Sequence, residues 1–375
     1  MLQTLSRPPG ARAPSRADAM VEAVRKAALS DLAPVVREVD AGGLYPEAAL
    51  RAFGAAGAYA AHLPAGGPAG AADLWGAIQA SAAAGEHCLS TAFCMWCQDA
   101  LAWYIACSDN GALRAALGQL VASGTLLGGT GLSNPMKTFF GIETIRLKGE
   151  RVPGGYRVRG ALPWVSNLGP SHCFGAVFAR PEGRYAMAVI RCGAEGVALV
   201  EGGRFLALDG SGTYGVQLRD AFVPDEDLLA DPIDAYLKRI RAGFVLMQTG
   251  MGIGLVRACI ALMRDVAGSL GHVNRYLDVQ PDDLAGRLGV LESEIEALSA
   301  TPFDPGPAYW RRVIEARLAT SELAVAAAHN AMLHCGARGY VASGEAQRRL
   351  REAYFVAIVT PAVKQLKKML AEMDR

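Results

Sequence analysis

The apolar positions of this chain change their period twice. From Ala17 to about Gly124 they recur three and four residues apart, in Met20–Val36, Glu47–Tyr59, Leu74–Ala84 and Ser90–Ile105, the spacing of helices with one buried face. Between the second and third of these, Leu63-Pro-Ala-Gly-Gly-Pro-Ala-Gly70 is a cluster of helix breakers and reads as a surface loop. From Leu126 to about Asp231, short runs rich in Val, Ile, Tyr and Phe are cut by Gly, Pro and Asp. They are Thr144–Leu147, Gly155–Val158, Cys173–Ala179, Tyr185–Ile190, Val197–Val200 and Val216–Leu218. Strands of this length and spacing predict a small antiparallel β-domain, closed by Pro224 and the acidic turn that follows it. Helical periodicity returns in Tyr236–Leu270, Pro281–Leu298, Ala308–Cys335 and Glu345–Met373, the last broken near Pro361. Four long helices in up-down order predict a bundle. The expected architecture is α+β: an N-terminal helical domain over residues 1–125, a middle β-domain over 126–231 and a C-terminal four-helix bundle over 232–375.

Charge and composition narrow the function. With 37 Lys+Arg against 36 Asp+Glu, the net charge of +1 gives no basic field for nucleic acid. The chain is 51% hydrophobic and 19% charged, so it can fill a large core and bury surface between subunits. No clean stretch of about 20 apolar residues stands out as a membrane span; Leu246–Met263 is interrupted by Gln248, Thr249, three glycines and Arg257. Met1–Met20, with Arg7, Arg12, Arg16 and three prolines, lacks the apolar core of a secretory leader and reads as a loose tail. The eight cysteines form no small-scaffold disulfide pattern, and Cys94-x-x-Cys97 has no second pair at zinc spacing. Both lie in the buried-helix run Phe93–Tyr104, so structural thiols in a reducing, cytoplasmic setting are expected.

Simple motifs are missing. No GxGxxG follows a strand, and there is no phosphate-binding G-x-x-x-x-G-K-[ST], no H-E-x-x-H and no G-x-S-x-G. Gly250, Gly252 and Gly254 sit inside a helical pattern and predict close helix packing, and the six histidines are scattered, so no metal site is expected. More specific segments remain, in this order: Leu132-Ser-Asn-Pro135, Leu162-Pro-Trp-Val-Ser-Asn-Leu-Gly169, Leu208-Asp-Gly-Ser-Gly-Thr213, Phe222-Val-Pro-Asp-Glu-Asp-Leu-Leu229 and Cys335-Gly-Ala-Arg-Gly-Tyr340 ahead of Arg348-Arg-Leu-Arg-Glu-Ala353.

Over nearly the whole chain these segments resemble the acyl-CoA dehydrogenase superfamily. The resemblance implies a homodimeric or homotetrameric flavoprotein with FAD between the β-domain and the C-terminal bundle. It places Leu132 and Ser133 against the flavin through backbone and hydroxyl. Trp164 becomes a wall of the isoalloxazine ring, and Ser166 a hydroxyl near its N5 edge. Gly336 and Gly339 fall in the turn that approaches the diphosphate, usually from a neighbouring subunit, and Arg275 is the one residue able to stand in for the family's diphosphate-holding arginine. The activity implied is α,β-dehydrogenation of an acyl thioester, with an electron-transfer partner.

The residues depart from that pattern where the chemistry should be. The family's catalytic Glu falls on Thr360, and the alternative position on the first bundle helix falls near Phe244. The Gln ahead of the glycine turn is Leu333, the Gln after the catalytic segment is Lys364, a CoA-binding Ser is Phe139, and a CoA-facing Arg falls near Val245. Three readings follow. One is a dehydrogenase with its base elsewhere, at Glu352 or Glu345, although both are placed to pair with Arg348 and Arg349. Another is a monooxygenase using reduced flavin from a partner reductase, although the histidines many such enzymes carry are Val356 and Val359 here. The third is a non-catalytic relative that binds a hydrophobic ligand or partner.

Overall fold

The structure is a computed structural model and describes residues 15–374 apart from Gly66, Pro68 and Ala69. The tail before Ser15 and the middle of the Leu63–Gly70 loop lie outside the described residues. Helix α1 (Arg16–Ala27) opens where the Ser15 hydroxyl accepts the Asp18 N–H and the Asp18 carboxylate accepts the Ser15 N–H, a reciprocal cap. A π turn at Ala28–Leu32 leads to α2 (Val36–Gly42), which stops at left-handed Gly43. Then come α3 (Glu47–Ala55), α4 (Trp75–Gly85), α5 (Leu89–Cys107) and α6 (Gly111–Ala122), the last capped by Asn110. Because α5 is apolar on every side, it can only lie inside, and nearly its whole length is buried.

Strand β1 (Gly128–Thr130) and the short helix α7 (Ser133–Phe139) lead into β2 (Lys148–Val152), β3 (Gly155–Val165), β4 (Cys173–Ala179), β5 (Tyr185–Arg191), β6 (Val197–Glu201), β7 (Tyr214–Pro224) and β8 (Leu228–Ala230). The sheet runs β6-β7-β3-β2-β4-β5-β8, with β1 on β4, and is antiparallel except where β4 meets β1 and β2. The strand expected at Thr144–Leu147 does not form. There the Asn134 side chain takes the ladder's place, donating to the Thr144 carbonyl and accepting from the Arg146 N–H, and pairing starts at Lys148 instead.

The final block is α8 (Asp234–Met247), α9 (Thr249–Asn274), α10 (Pro281–Ser299), α11 (Pro307–Cys335), α12 (Glu345–Ile358) and α13 (Val363–Met373). The single helix expected over Tyr236–Leu270 is two segments meeting at Gln248. A Cβ on Gly250 or Gly254 would collide with backbone of α4, and one on Gly252 with Thr320 of α11, so these glycines let α9 pass close to both helices. One apolar core runs through both helical blocks and a second fills the sheet. The Asp234–Asn274 stretch is long and apolar enough to cross a membrane by length and composition, but 78% of its most apolar window is buried inside the fold, as in a core helix.

The helical core also encloses an ionisable pair. His62 and Asp99 lie 3.7 Å apart, both buried, and neither His62 ring nitrogen nor Asp99 Oδ1 has a hydrogen-bond partner. Burial pushes the Asp99 carboxyl well above the usual carboxylate range and pulls His62 down to about 4, so both are neutral in the folded protein. Well above pH 6.5, where His62 is mostly neutral folded or unfolded, Asp99 is the member of this pair that contributes to the pH dependence. Its folded form holds a proton that the unfolded chain has lost, so stability falls as pH rises toward the raised folded value. Asp99→Asn is expected to flatten that slope. Urea midpoints at pH 6.5 and 8 would show wild type losing more stability than the variant, and equal losses would contradict the assignment.

Candidate functional site

The site begins at a defect in the β3–β7 ladder. Leu162 pairs with Val216 and Val165 with Tyr214, so β3 carries one extra residue between those pairs. The bulge breaks the in-out alternation, and Trp164 projects outward, 58% exposed, while Leu162 and Val165 stay buried. The following residues are pinned by Asn167, a buried non-glycine held at φ 63°. Its Oδ1 accepts the Tyr45 hydroxyl at 2.6 Å, its Nδ2 donates to the Gly128 carbonyl at 2.6 Å and its N–H to the Ser211 carbonyl at 2.9 Å. Ser166 and Thr213 hydroxyls meet at 2.6 Å and Thr213 and Ser211 at 2.7 Å, forming a short chain of alcohols beside the Trp164 ring.

Trp164, Ser166, Ser211 and Thr213 line one side of a cavity of about 370 Å³ between the sheet and the C-terminal helices. Phe93, Trp96, Phe244 and Phe355 form its apolar wall. Phe93 stacks on Trp96 at 5.7 Å and meets Phe355 edge-on at 4.6 Å, while Trp96 Nε1 donates to the Phe244 carbonyl. Ser133, at the start of α7, faces the cavity with its hydroxyl 3.1 Å from that of Thr360. The Leu132 side chain turns into the core. A second cavity of about 870 Å³, lined from α11 and the α12–α13 turn, shares Lys137, Ile358 and Thr360 with the first.

Of the residues read from the sequence, Ser133, Trp164, Ser166 and Thr360 thus come together, with Leu132 beside them. Arg275, Gly336 and Gly339 line neither cavity. They lie where α9 and α11 end, joined by an Asn274 side chain donating to the His334 carbonyl at 2.9 Å, and the Arg275 guanidinium stacks on its own neighbour Tyr276. Lining residues given no site role from sequence include Thr130, Lys137, Phe205, Leu206 and Tyr354, together with Ser211, Thr213 and Arg351, which stand in quoted segments. Arg351 is held by a two-point pair with Asp40 and donates to the Leu206 carbonyl, a bridge between chain segments that nothing local announces.

Neither alternative base position is usable. Glu352 is buried between Arg348 and Arg349 and accepts the Leu89 N–H, and Glu345 accepts from both arginines. Burial alone would raise the Glu345 carboxyl, but the charges of Arg349 and Arg348 outweigh it and hold it below the usual range. Among the described residues no Asp, Glu or His lines the first cavity. Its two charged groups are Lys137, paired with Glu143 at 3.1 Å, and Arg351. Burial pushes the Cys97 thiol well above its ordinary value, which keeps it neutral. Among the described residues no three His, Cys, Asp or Glu side chains gather as a metal site. The arrangement can enclose a flat aromatic body and offer it hydroxyl donors, and it holds no side-chain base of the carboxylate or imidazole kind.

Residues 15–124 match the family model of the acyl-CoA dehydrogenase N-terminal domain. The sequence matches no curated protein. Solved structures share the fold over almost the full chain. Work on the electron transferring flavoprotein of Acidaminococcus fermentans contains one at 16% identity and TM-score 0.84, covering 96% of this chain and 98% of the other. Butyryl-CoA dehydrogenase from Megasphaera elsdenii aligns at 16% identity and TM-score 0.83, covering 97% and 100%. An FAD complex of PigA aligns at 13% identity and TM-score 0.78, covering 96% and 98%. The chain therefore shares the fold of these structures, and its residues 15–124 are similar to the acyl-CoA dehydrogenase N-terminal domain.

Proposed function

We propose that this chain, built on the acyl-CoA dehydrogenase fold, is an FAD-dependent oxidoreductase that acts on a small, largely apolar substrate without a carboxylate base. One observation carries the reading: among the described residues, no Asp, Glu or His lines the cavity that gathers Trp164, Ser133, Ser166 and Thr360. Removing a proton beside a thioester carbonyl requires a basic side chain within hydrogen-bond reach. With Thr360 and Phe244 at the two family positions, and Glu345 and Glu352 locked in ion pairs, α,β-dehydrogenation loses its residue support. Monooxygenation is favoured, in which one atom of dioxygen enters the substrate, the other leaves as water, and a partner reductase supplies the two electrons.

The residues present fit the ring end of FAD. Bound there, FAD would supply two-electron exchange and, once reduced, reaction with dioxygen. The exposed indole of Trp164 offers it a stacking face, and the Ser166–Thr213–Ser211 alcohols and Ser133 offer donors without adding charge. Phe93, Trp96, Phe244 and Phe355 keep water from the apolar half of the cavity and hold the substrate body. The solved FAD complex of a protein with this fold supports the cofactor. The diphosphate end is read as completed by a second copy of the chain. Around Gly336 and Arg275 lie exposed Val273, Tyr276, Leu333, Tyr340 and Val341, an apolar surface suited to the interface of a homodimer or homotetramer. Eight buried, unpaired thiols fit a reducing cytoplasm.

Absorbance of the purified protein, titrated with FAD where needed, tests this directly. A flavin band that octanoyl-CoA leaves unbleached without oxygen is the expected result, with oxygen uptake only when a flavin reductase and nicotinamide donor are added. Anaerobic bleaching by the acyl-CoA would return the site to dehydrogenation. Failure to take up FAD at all would reduce the chain to a non-catalytic relative.

A further inference from the structure

Arg317 of α11 has no exposed surface and makes no ion pair. Its partners are all neutral: Nε donates to Gln248 Oε1 at 2.8 Å, Nη2 to the Val356 carbonyl at 2.9 Å, and Nη1 to the Ser321 hydroxyl. Gln248 in turn donates to the Thr360 carbonyl at 2.9 Å. The guanidinium therefore holds the last turn of α12 directly and the α12–α13 turn through Gln248, and Ile358 at the end of that helix and Thr360 in the turn line both cavities.

A neutral side chain of similar reach could hold the same carbonyls without burying a full charge, which is costly away from water. The Val356 carbonyl, in the last turn of α12, offsets part of that charge. Burial lowers the guanidinium to about 10, still protonated at neutral pH. Arg317 lines neither cavity itself, but Gln248 links it to Thr360, which does, and among the described residues no carboxylate lines the ring cavity to offset its charge.

We propose that Arg317 is a positioning residue whose buried charge, set behind Thr360, biases the ring cavity toward an anionic occupant. The inference rests on the FAD reading above, in which that occupant is the reduced, anionic flavin in preference to the neutral oxidised one.

The test is an equilibrium redox titration of FAD-loaded protein against a reference dye, after FAD uptake by wild type has been shown by absorbance. Arg317→Gln is expected to shift the reduced-to-oxidised ratio about tenfold toward oxidised, roughly 30 mV for a two-electron couple. Arg317→Lys should restore most of the shift. Gln248→Leu frees the Thr360 carbonyl and keeps the charge, so it should leave the potential in place. Should Arg317→Gln not fold, Ser321→Asp neutralises the guanidinium where it stands and should move the potential in the same direction. An unchanged potential in the charge-removing or charge-neutralising variant overturns the proposal. So does an equal shift from Gln248→Leu, which would make geometry and not charge the cause. A wild type that takes up no FAD overturns the cofactor reading and this inference with it, a result distinct from either of those.

Discussion

Replacing Arg349 with methionine is expected to cost about 3–5 kcal/mol of folding stability, the range for breaking a buried ion pair from one side. Arg349 is almost completely buried on α12. Its Nε donates to Glu345 at 2.8 Å and its Nη1 to Glu352 at 3.1 Å and the Gly85 carbonyl at 3.0 Å, while its Nη2 reaches the Glu86 and His87 carbonyls. Those carbonyls lie at and just past the C-terminal end of α4, where backbone acceptors lack helical partners and a cation is favoured. Methionine fills similar volume and donates nothing. Buried Glu352 would be left with Arg348 as its single cationic partner, and the Gly85 and Glu86 carbonyls would lose their side-chain donor. Urea denaturation should show the loss, and Arg349→Met with Glu352→Leu should recover part of it, since an apolar pair avoids the stranded charge. A loss below about 1 kcal/mol in the single variant would mean that water reaches the cluster. Because α12 also carries Phe355 and leads to Thr360, the variant should loosen the cavity as well.

This cluster also shows what can be read from sequence and what cannot. Glu345, Arg348, Arg349 and Glu352 stand three and four residues apart on a helix, so their pairing is legible locally. Their burial is not, because it depends on the end of α4 more than 250 positions earlier in the chain. The same division runs through the site. Cys173–Ala179 is legible as a strand because its uninterrupted apolar run leaves no polar face. The outward turn of Trp164 is hidden, because a bulge is a property of β3 paired with β7 and not of either strand alone. Thr213 stands in a quoted segment, yet its partnership with Ser166 follows only from that register. Arg317 has no sequence signal: on a 29-residue helix it looks like any surface arginine until Gln248 and Val356 close over it.

Trp164→Ala is expected to weaken FAD retention ten- to thirtyfold, about 1.4–2 kcal/mol. In the chain alone more than half of the Trp164 surface is exposed, although it projects over a cavity whose other walls are closed by Phe93, Trp96 and Phe355. A large aromatic left this open at the mouth of an apolar cavity loses nothing by meeting a flat ring and gains stacking and burial when it does. Alanine would remove that face and admit water along the Ser166–Thr213–Ser211 alcohols, which would then be solvated in place of donating to the ring. Trp164→Phe keeps a stacking face and should hold most of the affinity, whereas Ser166→Ala removes one donor and should cost less than Trp164→Ala. Fluorescence titration of cofactor-free protein with FAD separates these outcomes. One inserted residue in β3 sets the direction of the indole. If Trp164→Ala bound FAD as tightly as wild type, the ring would have to lie elsewhere, and the aromatic cavity would be a substrate pocket only.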